Sequence, residues 1–192
     1  MALTKVLITV KTYPTLSAKY DELVCTAGFL EDGSWIRIYP IPYRFLTQAN
    51  QYKKWQWITM DLIRNTKDFR PESYRPVDIN KDIILEDVID TKQGWGQRKQ
   101  YALKRVYTNM DELILEAKNP LIKTSLAVVK PTEVLDFIIK PTDREWDKKK
   151  LATVMANLSM PELFQEKEST TKIFQIAKKI PYKFSYVFKT ED

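Results

Sequence analysis

The sequence predicts a mainly β chain with appended helices, an α+β fold built on small β-barrels, and three observations predict it. Short runs of strict apolar–polar alternation recur through the first half. Helical patterns appear between later strand runs without the regular strand–helix–strand order of a parallel sheet. The chain has 192 residues, 44% apolar and 29% charged, enough for one ordinary domain or two small, tightly joined ones. It shows no repeat of fixed period.

Residues 5–11 alternate, with Val6, Ile8 and Val10 on one face. Residues 22–30 form a second strand, and Glu31-Asp32-Gly33 supplies a hairpin turn into residues 34–39, because glycine accepts the positive φ the turn needs. Pro40 and Pro42 are expected to end that strand. In residues 55–64, Ile58, Met60 and Leu62 face one side and Trp57, Thr59 and Asp61 the other. Residues 82–89 make a shorter strand. The break Gln93-Gly94-Trp95-Gly96 divides an N-terminal barrel, 1–93, from a helical connection and second lobe, 94–192.

Helix is expected over 97–107. Asn109-Met110-Asp111-Glu112 is a capping box before an apolar set of Met110, Leu113, Ile114 and Ala117. Strands follow at 124–129 and 133–139, broken by Pro131. Residues 142–145 are read as another capping box, with Trp146, Leu151, Val154, Met155 and Leu158 striping the helix behind it. The polar stretch 159–171 is expected as an exposed loop. In the closing strand, 181–189, Tyr182, Phe184, Tyr186 and Phe188 share a face that is expected to be core, with Lys183, Ser185 and Lys189 on the wet side.

The absences exclude whole classes of chemistry. With no histidine, a Ser-His-Asp or Cys-His triad and His-ligated zinc or haem cannot be assembled within the chain. Four scattered glycines supply neither a P-loop nor a dinucleotide fingerprint. The lone Cys25 makes no intramolecular disulfide, lies in an apolar strand as a small hydrophobe, and points to the cytoplasm. No apolar run approaches the ~20 residues of a membrane span and no signal-peptide pattern opens the chain, so no membrane partner is expected.

Net charge is +6, which suits an anionic partner. Residues 1–96 hold 13 Lys+Arg against 12 Asp+Glu, and residues 97–192 hold 18 against 13. Five of the eight arginines nevertheless lie in the first half among aromatics: Arg37, Arg44, Arg64, Arg70 and Arg75. Guanidinium forks match phosphates and stack on rings, whereas lysine acts as a point charge. The first half is therefore the recognising half.

The candidate site starts at residues 34–39. Alternation puts Ile36 and Ile38 on one face and Trp35, Arg37 and Tyr39 on the other, the aromatic–cation–aromatic stripe of a stacking platform for unpaired bases. The alternative is that a second layer covers the rings and Arg37 snorkels past them. Trp57 lies beside this face. The loop 64–76 adds Arg64, Arg70 and Arg75 for phosphates and Tyr74 or Phe69 for stacking; its alternative is an internal ion-pair network with Asp68 and Glu72. Asp78 followed by Asp90-Thr91-Lys92 resembles the acid…acid-x-Lys arrangement of Mg²⁺-dependent nucleases, a pattern with few fixed residues.

The runs Lys5-Val6-Leu7-Ile8-Thr9-Val10-Lys11-Thr12-Tyr13-Pro14, Tyr20-Asp21-Glu22-Leu23-Val24-Cys25-Thr26-Ala27-Gly28, Asp32-Gly33-Ser34-Trp35-Ile36-Arg37-Ile38-Tyr39-Pro40 and residues 64–76 resemble bacterial proteins described as dual OB domain-containing. The resemblance covers most of the chain. It implies two small OB-like β-barrels, a setting in bacterial genome conflict and no established catalytic residues. Family members continue past the position of Lys189, which implies a second lobe incomplete at its C-terminus. The expected function is a non-enzymatic module, without cofactor or metal, that binds nucleic acid or a nucleotide-like ligand, single-stranded or modified, through Trp35, Arg37, Tyr39, Arg44, Trp57, Arg64, Arg70, Tyr74 and Arg75. The alternatives are a protein-interaction adaptor and a Mg²⁺-dependent nuclease.

Overall fold

The computed structural model describes residues 3–17, 19, 21–159 and 175–191; the predicted polar loop lies outside them apart from Ser159, as does Tyr20. The first strands are β1 (Leu3–Lys11), β2 (Thr15–Ser17), β3 (Asp21–Phe29), β4 (Trp35–Ile41), β5 (Gln56–Arg64) and β6 (Ser73–Pro76). β3 runs antiparallel to β1 and β4, β6 joins β4 in parallel and β5 antiparallel, and β5 returns to β1. The ring β1-β3-β4-β6-β5 is a closed five-stranded barrel of the OB-like kind. β2 adds to β3, and β7 (Ile84–Val88) adds to β5.

Closure supplies the layer that each inward face needs. Val6, Ile8, Ile36, Ile38, Ile41, Ile58, Met60 and Leu62 fill the interior, each worth roughly 1.5–3 kcal/mol of burial. Tyr52 is fully buried in the same cluster; its hydroxyl lies 2.6 Å from Thr26 Oγ1, and burial pushes its phenol well above the ordinary range. Gly28 lets β1 cross close to β3, since a Cβ there would collide with the Leu7 carbonyl. The hairpin turn forms as its residues require: Gly33 has φ +82°, and Asp32 accepts from the Ser34 amide at 2.8 Å and its hydroxyl at 2.6 Å.

Two expectations about the barrel are corrected. β4 does not end before Pro40 but runs to Ile41. Ile38 and Ile41 bracket a register shift against Thr26 and Val24, so Tyr39 and Pro40 share a bulge where proline's missing N–H is not needed. The stretch 64–76 is not all loop, because Ser73–Pro76 is the strand that links β4 to β5. Its proline lies at the strand's end, which hid it from sequence reasoning.

Beyond the barrel come α1 (Lys92–Ala102), β8 (Val106–Tyr107), α2 (Met110–Lys118), β9 (Val128–Val129), β10 (Glu133–Pro141), α3 (Lys148–Ser159) and β11 (Tyr182–Lys189). Right-handed helical backbone in α1 begins only after Trp95, next to the predicted start, and stops at Ala102, leaving Val106 and Tyr107 to pair in parallel with β9. Gln93, Gly94 and Trp95 take left-handed backbone angles inside its first turn. α2 is capped as read, Asn109 Oδ1 accepting from Asp111 and Glu112 amides at 2.7 and 3.1 Å. α3 is capped by Asp147, whose carboxylate takes the Lys150 amide at 2.9 Å; Thr142 instead donates its amide to the Pro181 carbonyl beside the ribbon. Val154 is the fully buried residue of α3, a helix packed towards β2 and β3.

β10 and β11 form a two-stranded antiparallel ribbon. Here the core assignment fails: Tyr182, Phe184, Tyr186 and Phe188 are 39–66% exposed. The rings of Phe184 and Tyr186 pack on Phe137 and that of Tyr182 on Phe184, and the ribbon is too narrow to bury its own face. Among the described residues no helix is long and apolar enough to cross a membrane.

Candidate nucleic-acid interface

In OB barrels the outer face of the second and third strands and the loops beside it bind oligonucleotides. Here those strands are β3 and β4, and the loop between β5 and β6 is residues 65–72. As alternation requires, Ile36 and Ile38 are fully buried while Trp35 and Arg37 are half-buried on the outer face; Tyr39, in the bulge, is 41% exposed. Trp35 lies on Phe29, ring centroids 4.2 Å apart. Around them a second apolar cluster of Leu7, Phe29 and Ile89 gathers Trp55, Trp57, Tyr101 and Val128. α1 and β9 thus cover part of this face. Trp57 stands edge-on to Tyr101 at 5.4 Å and packs into that cluster.

The uncovered part of Trp35 lines a cleft of about 330 Å³ between the barrel and the β8–β9 pair. Tyr74 and Tyr107 share its wall, with Arg105, Glu72 and Ser125. Arg105 lies over the Tyr107 ring, 5.0 Å from its centre, and pairs with Glu116. Glu116 also accepts from Tyr107 at 2.6 Å and Thr124 at 2.9 Å. Burial, then that hydrogen bond, pushes the Tyr107 phenol up to about 12. The phenol bond in turn holds the Glu116 carboxyl below its usual range.

The predicted cations part company. Arg37 reaches Ser125 Oγ at 3.3 Å and its carbonyl at 3.4 Å, with Cys25 Sγ 3.7 Å away. Ser125 in turn donates to the Glu72 carboxylate, and the buried Arg37 Nε has no partner among the described residues. Arg70 is held by Asp68 through Nε at 2.8 Å, and Ser73 Oγ donates to the same carboxylate at 2.7 Å. The Arg70 and Ser73 bonds hold the Asp68 carboxyl well below the ordinary carboxylate range. For Arg70 the ion-pair alternative describes the loop. Arg64 is exposed, sits over Tyr74 at 5.6 Å and reaches the Arg70 carbonyl at 3.2 Å. Exposed Arg75 contacts the Pro76 carbonyl and lines a separate recess with Asp78.

Arg44 is elsewhere, at the Val24 end of β3, bonded to both oxygens of buried Glu22 at 2.8 Å. The fold therefore gathers Trp35, Arg37, Arg64 and Tyr74, and disperses Arg44, Trp57 and Arg75. Sequence reasoning missed Arg105, Tyr107 and Ser125, which arrive from beyond the predicted lobe boundary; the cation–aromatic alternation Arg105-Val106-Tyr107 was the available signal. Asp78 accepts the Asn80 amide and Asp90 the Lys92 amide, each at 2.9 Å. Among the described residues no group of three or more His, Cys, Asp or Glu is placed to hold a metal.

No curated protein and no solved structure matches the chain. Its second part, residues 106–192, matches a family described as Domain of unknown function (DUF8757). The barrel and α1 fall within residues 2–104, more than half the chain, and by the match over those residues the protein belongs to the family described as Domain of unknown function (DUF8758).

Proposed function

We propose that this protein is a non-enzymatic single-stranded nucleic-acid-binding module that seats one base in the cleft walled by Trp35, Tyr74 and Tyr107. The observation that carries the reading is the convergence of these three aromatics with Arg105 and Ser125 beside the outer β3–β4 face. A cleft of about 330 Å³ is at the small end of ligand sites, the size for one nucleotide unit. Rings supply stacking that tolerates any base. Glu72 and Ser125 offer polar groups for a base edge, and Arg64 and Tyr39 stand exposed for the backbone on either side. The net charge of +6 favours such a polyanion. With this reading go the dual-OB resemblance, a bacterial defence setting and a cytoplasmic location, the last supported by the single unpaired cysteine.

The test is a salt titration of binding to fluorescent single-stranded DNA and RNA oligomers. Phosphate contacts give a steep log–log slope, and Arg64→Ala should flatten it by about 0.7, the share of one single-strand phosphate contact. Binding that is absent, or indifferent to salt, overturns the reading. The adaptor alternative is favoured by the bare aromatic face of the β10–β11 ribbon, since exposed apolar patches mark protein contacts. Under it, Tyr186→Ser loses a protein complex while oligonucleotide affinity is unchanged.

A further inference from the structure

A second and larger cleft, about 630 Å³, lies at the Val24 end of β3, far along the strand from Trp35. The segment at 175–178 returns across the barrel here and is tied down. Glu22 accepts the Ala177 amide at 2.8 Å, Arg44 donates to the Gln175 carbonyl at 2.9 Å, and Tyr13 donates to the Lys178 carbonyl at 2.7 Å. The cleft between barrel and segment is lined by three cations, Lys11, Arg44 and Lys178, and by the rings of Tyr13 and Tyr43, with no carboxylate among the described residues of its wall.

The charge balance is one-sided. Glu22 stands behind the wall and both its oxygens are taken by Arg44, which cancels that guanidinium. Lys11 and Lys178 have no carboxylate partner among the described residues. The Lys11 ammonium does not extend into solvent. It lies over the Tyr43 ring, 3.7 Å from the centre, and spends one donor on the Tyr52 carbonyl at 3.3 Å. Tyr43 is itself fixed by donating to the same carbonyl at 2.7 Å. The ammonium is thereby positioned before any ligand arrives, with an N–H donor still to spare. A half-apolar cleft with uncancelled positive charge concentrates small anions, and 630 Å³ exceeds what a bare phosphate needs.

We propose that this cleft binds a small phosphorylated ligand with a flat ring, of nucleoside monophosphate chemistry. The phosphate meets Lys11 and Lys178, and the ring lies against half-exposed Tyr13. The site is independent of the base cleft at Trp35.

Calorimetric titration of the full chain with AMP, adenosine and inorganic phosphate tests it. AMP should bind saturably, and more tightly than either adenosine or phosphate, because only AMP engages both halves of the cleft. Lys11→Met should weaken AMP roughly tenfold or more, the worth of one charge-assisted contact, and Lys178→Met should weaken it less. Trp35→Ala should leave AMP affinity unchanged, and an unlabelled oligomer should not displace AMP. Absence of saturable AMP binding at millimolar concentration overturns the proposal. So does AMP affinity that survives both lysine changes, or that Trp35→Ala abolishes. Should Lys11→Met unfold the chain, the exposed Lys178 and Tyr13→Ala carry the same test.

Discussion

Strands β4 and β11 are written in the same alternating code and end in opposite surroundings. Ile36 and Ile38 of β4 are fully buried, whereas Tyr182, Phe184, Tyr186 and Phe188 of β11 stay at the surface. Alternation says which side chains share a face; it does not say what covers that face. In β4 the cover is the barrel itself, since pairing of β5 with β1 turns the sheet back over its own inner side. Among the described residues only β10 pairs with β11, and a two-stranded ribbon cannot cover its own faces. Closure, a property of connectivity, decides whether an apolar stripe becomes core.

That contrast breaks most easily at its buried end. Ile38→Ala should cost about 2–5 kcal/mol, as transfer and cavity terms add in a site that cannot collapse, read as a lowered denaturant midpoint at constant m. A smaller loss, under about 1 kcal/mol, would mean the barrel interior is loosely packed and the contrast with β11 is overstated. Next comes the tie between halves. Glu22→Gln removes the charge that holds Arg44 and the segment at 175–177, and should cost about 1.5–3 kcal/mol. A neutral result would show that the segment contributes nothing to the barrel's stability.

The outer face of β4 sharpens the comparison, because under the proposed function Trp35 has a base to stack on. Trp35→Ala should weaken single-strand binding by about 1–3 kcal/mol, one base–aromatic stack. It should destabilise the fold less than Ile36→Ala does, since Trp35 is half-buried on Phe29. Comparing the fluorescence of wild type and Trp35→Phe on adding oligomer isolates this ring from the other four tryptophans. Unchanged affinity in Trp35→Ala would remove the base cleft from the interface.

Much of the barrel was legible because its signals are local. Alternation placed β1, β4 and β5, and Asp32-Gly33 placed the hairpin. Asn109 announced α2. What escaped depends on contacts distant in sequence. Ser73-Tyr74-Arg75-Pro76 reads as loop until β4 and β5 are known to need a strand between them. Arg105, Tyr107 and Ser125 reach the cleft only because β8 and the segment at 124–126 pack back on the barrel. Of the arginines, the sequence could count five but could not distinguish Arg70, spent on Asp68, from exposed Arg64. Nor could it show that Arg44 faces a different cleft altogether.

Asp68 gives a smaller, pH-resolved effect. Its folded carboxyl titrates well below the unfolded value, first through the Arg70 bond. The stabilisation is therefore complete above the unfolded carboxylate range near pH ~4 and is lost as pH falls through that range towards the depressed folded value. With Arg70 about a third exposed, roughly 1 kcal/mol is at stake. Melting temperature followed from neutral pH into acid should fall less steeply for Asp68→Asn than for wild type. Parallel curves would mean the pair adds nothing to stability.

The smallest effect belongs at the other end of the comparison. Phe184 stacks on Phe137 at 6.0 Å and stands opposite Ile139, and it is more than half exposed. Phe184→Ser therefore removes a cross-strand contact worth about 0.2–1 kcal/mol and little else, and it makes the chain more soluble by shrinking an apolar face. The barrel should unfold at nearly its original denaturant midpoint. The measurement has a second reading built in. If the ribbon is covered in solution by another copy of the chain, its face behaves as core, and wild-type stability rises with protein concentration. Phe184→Ser would then cost about 2 kcal/mol or more, abolish that concentration dependence and lower the sedimenting mass. β11 would in that case be buried like β4, with the covering layer supplied by association instead of closure.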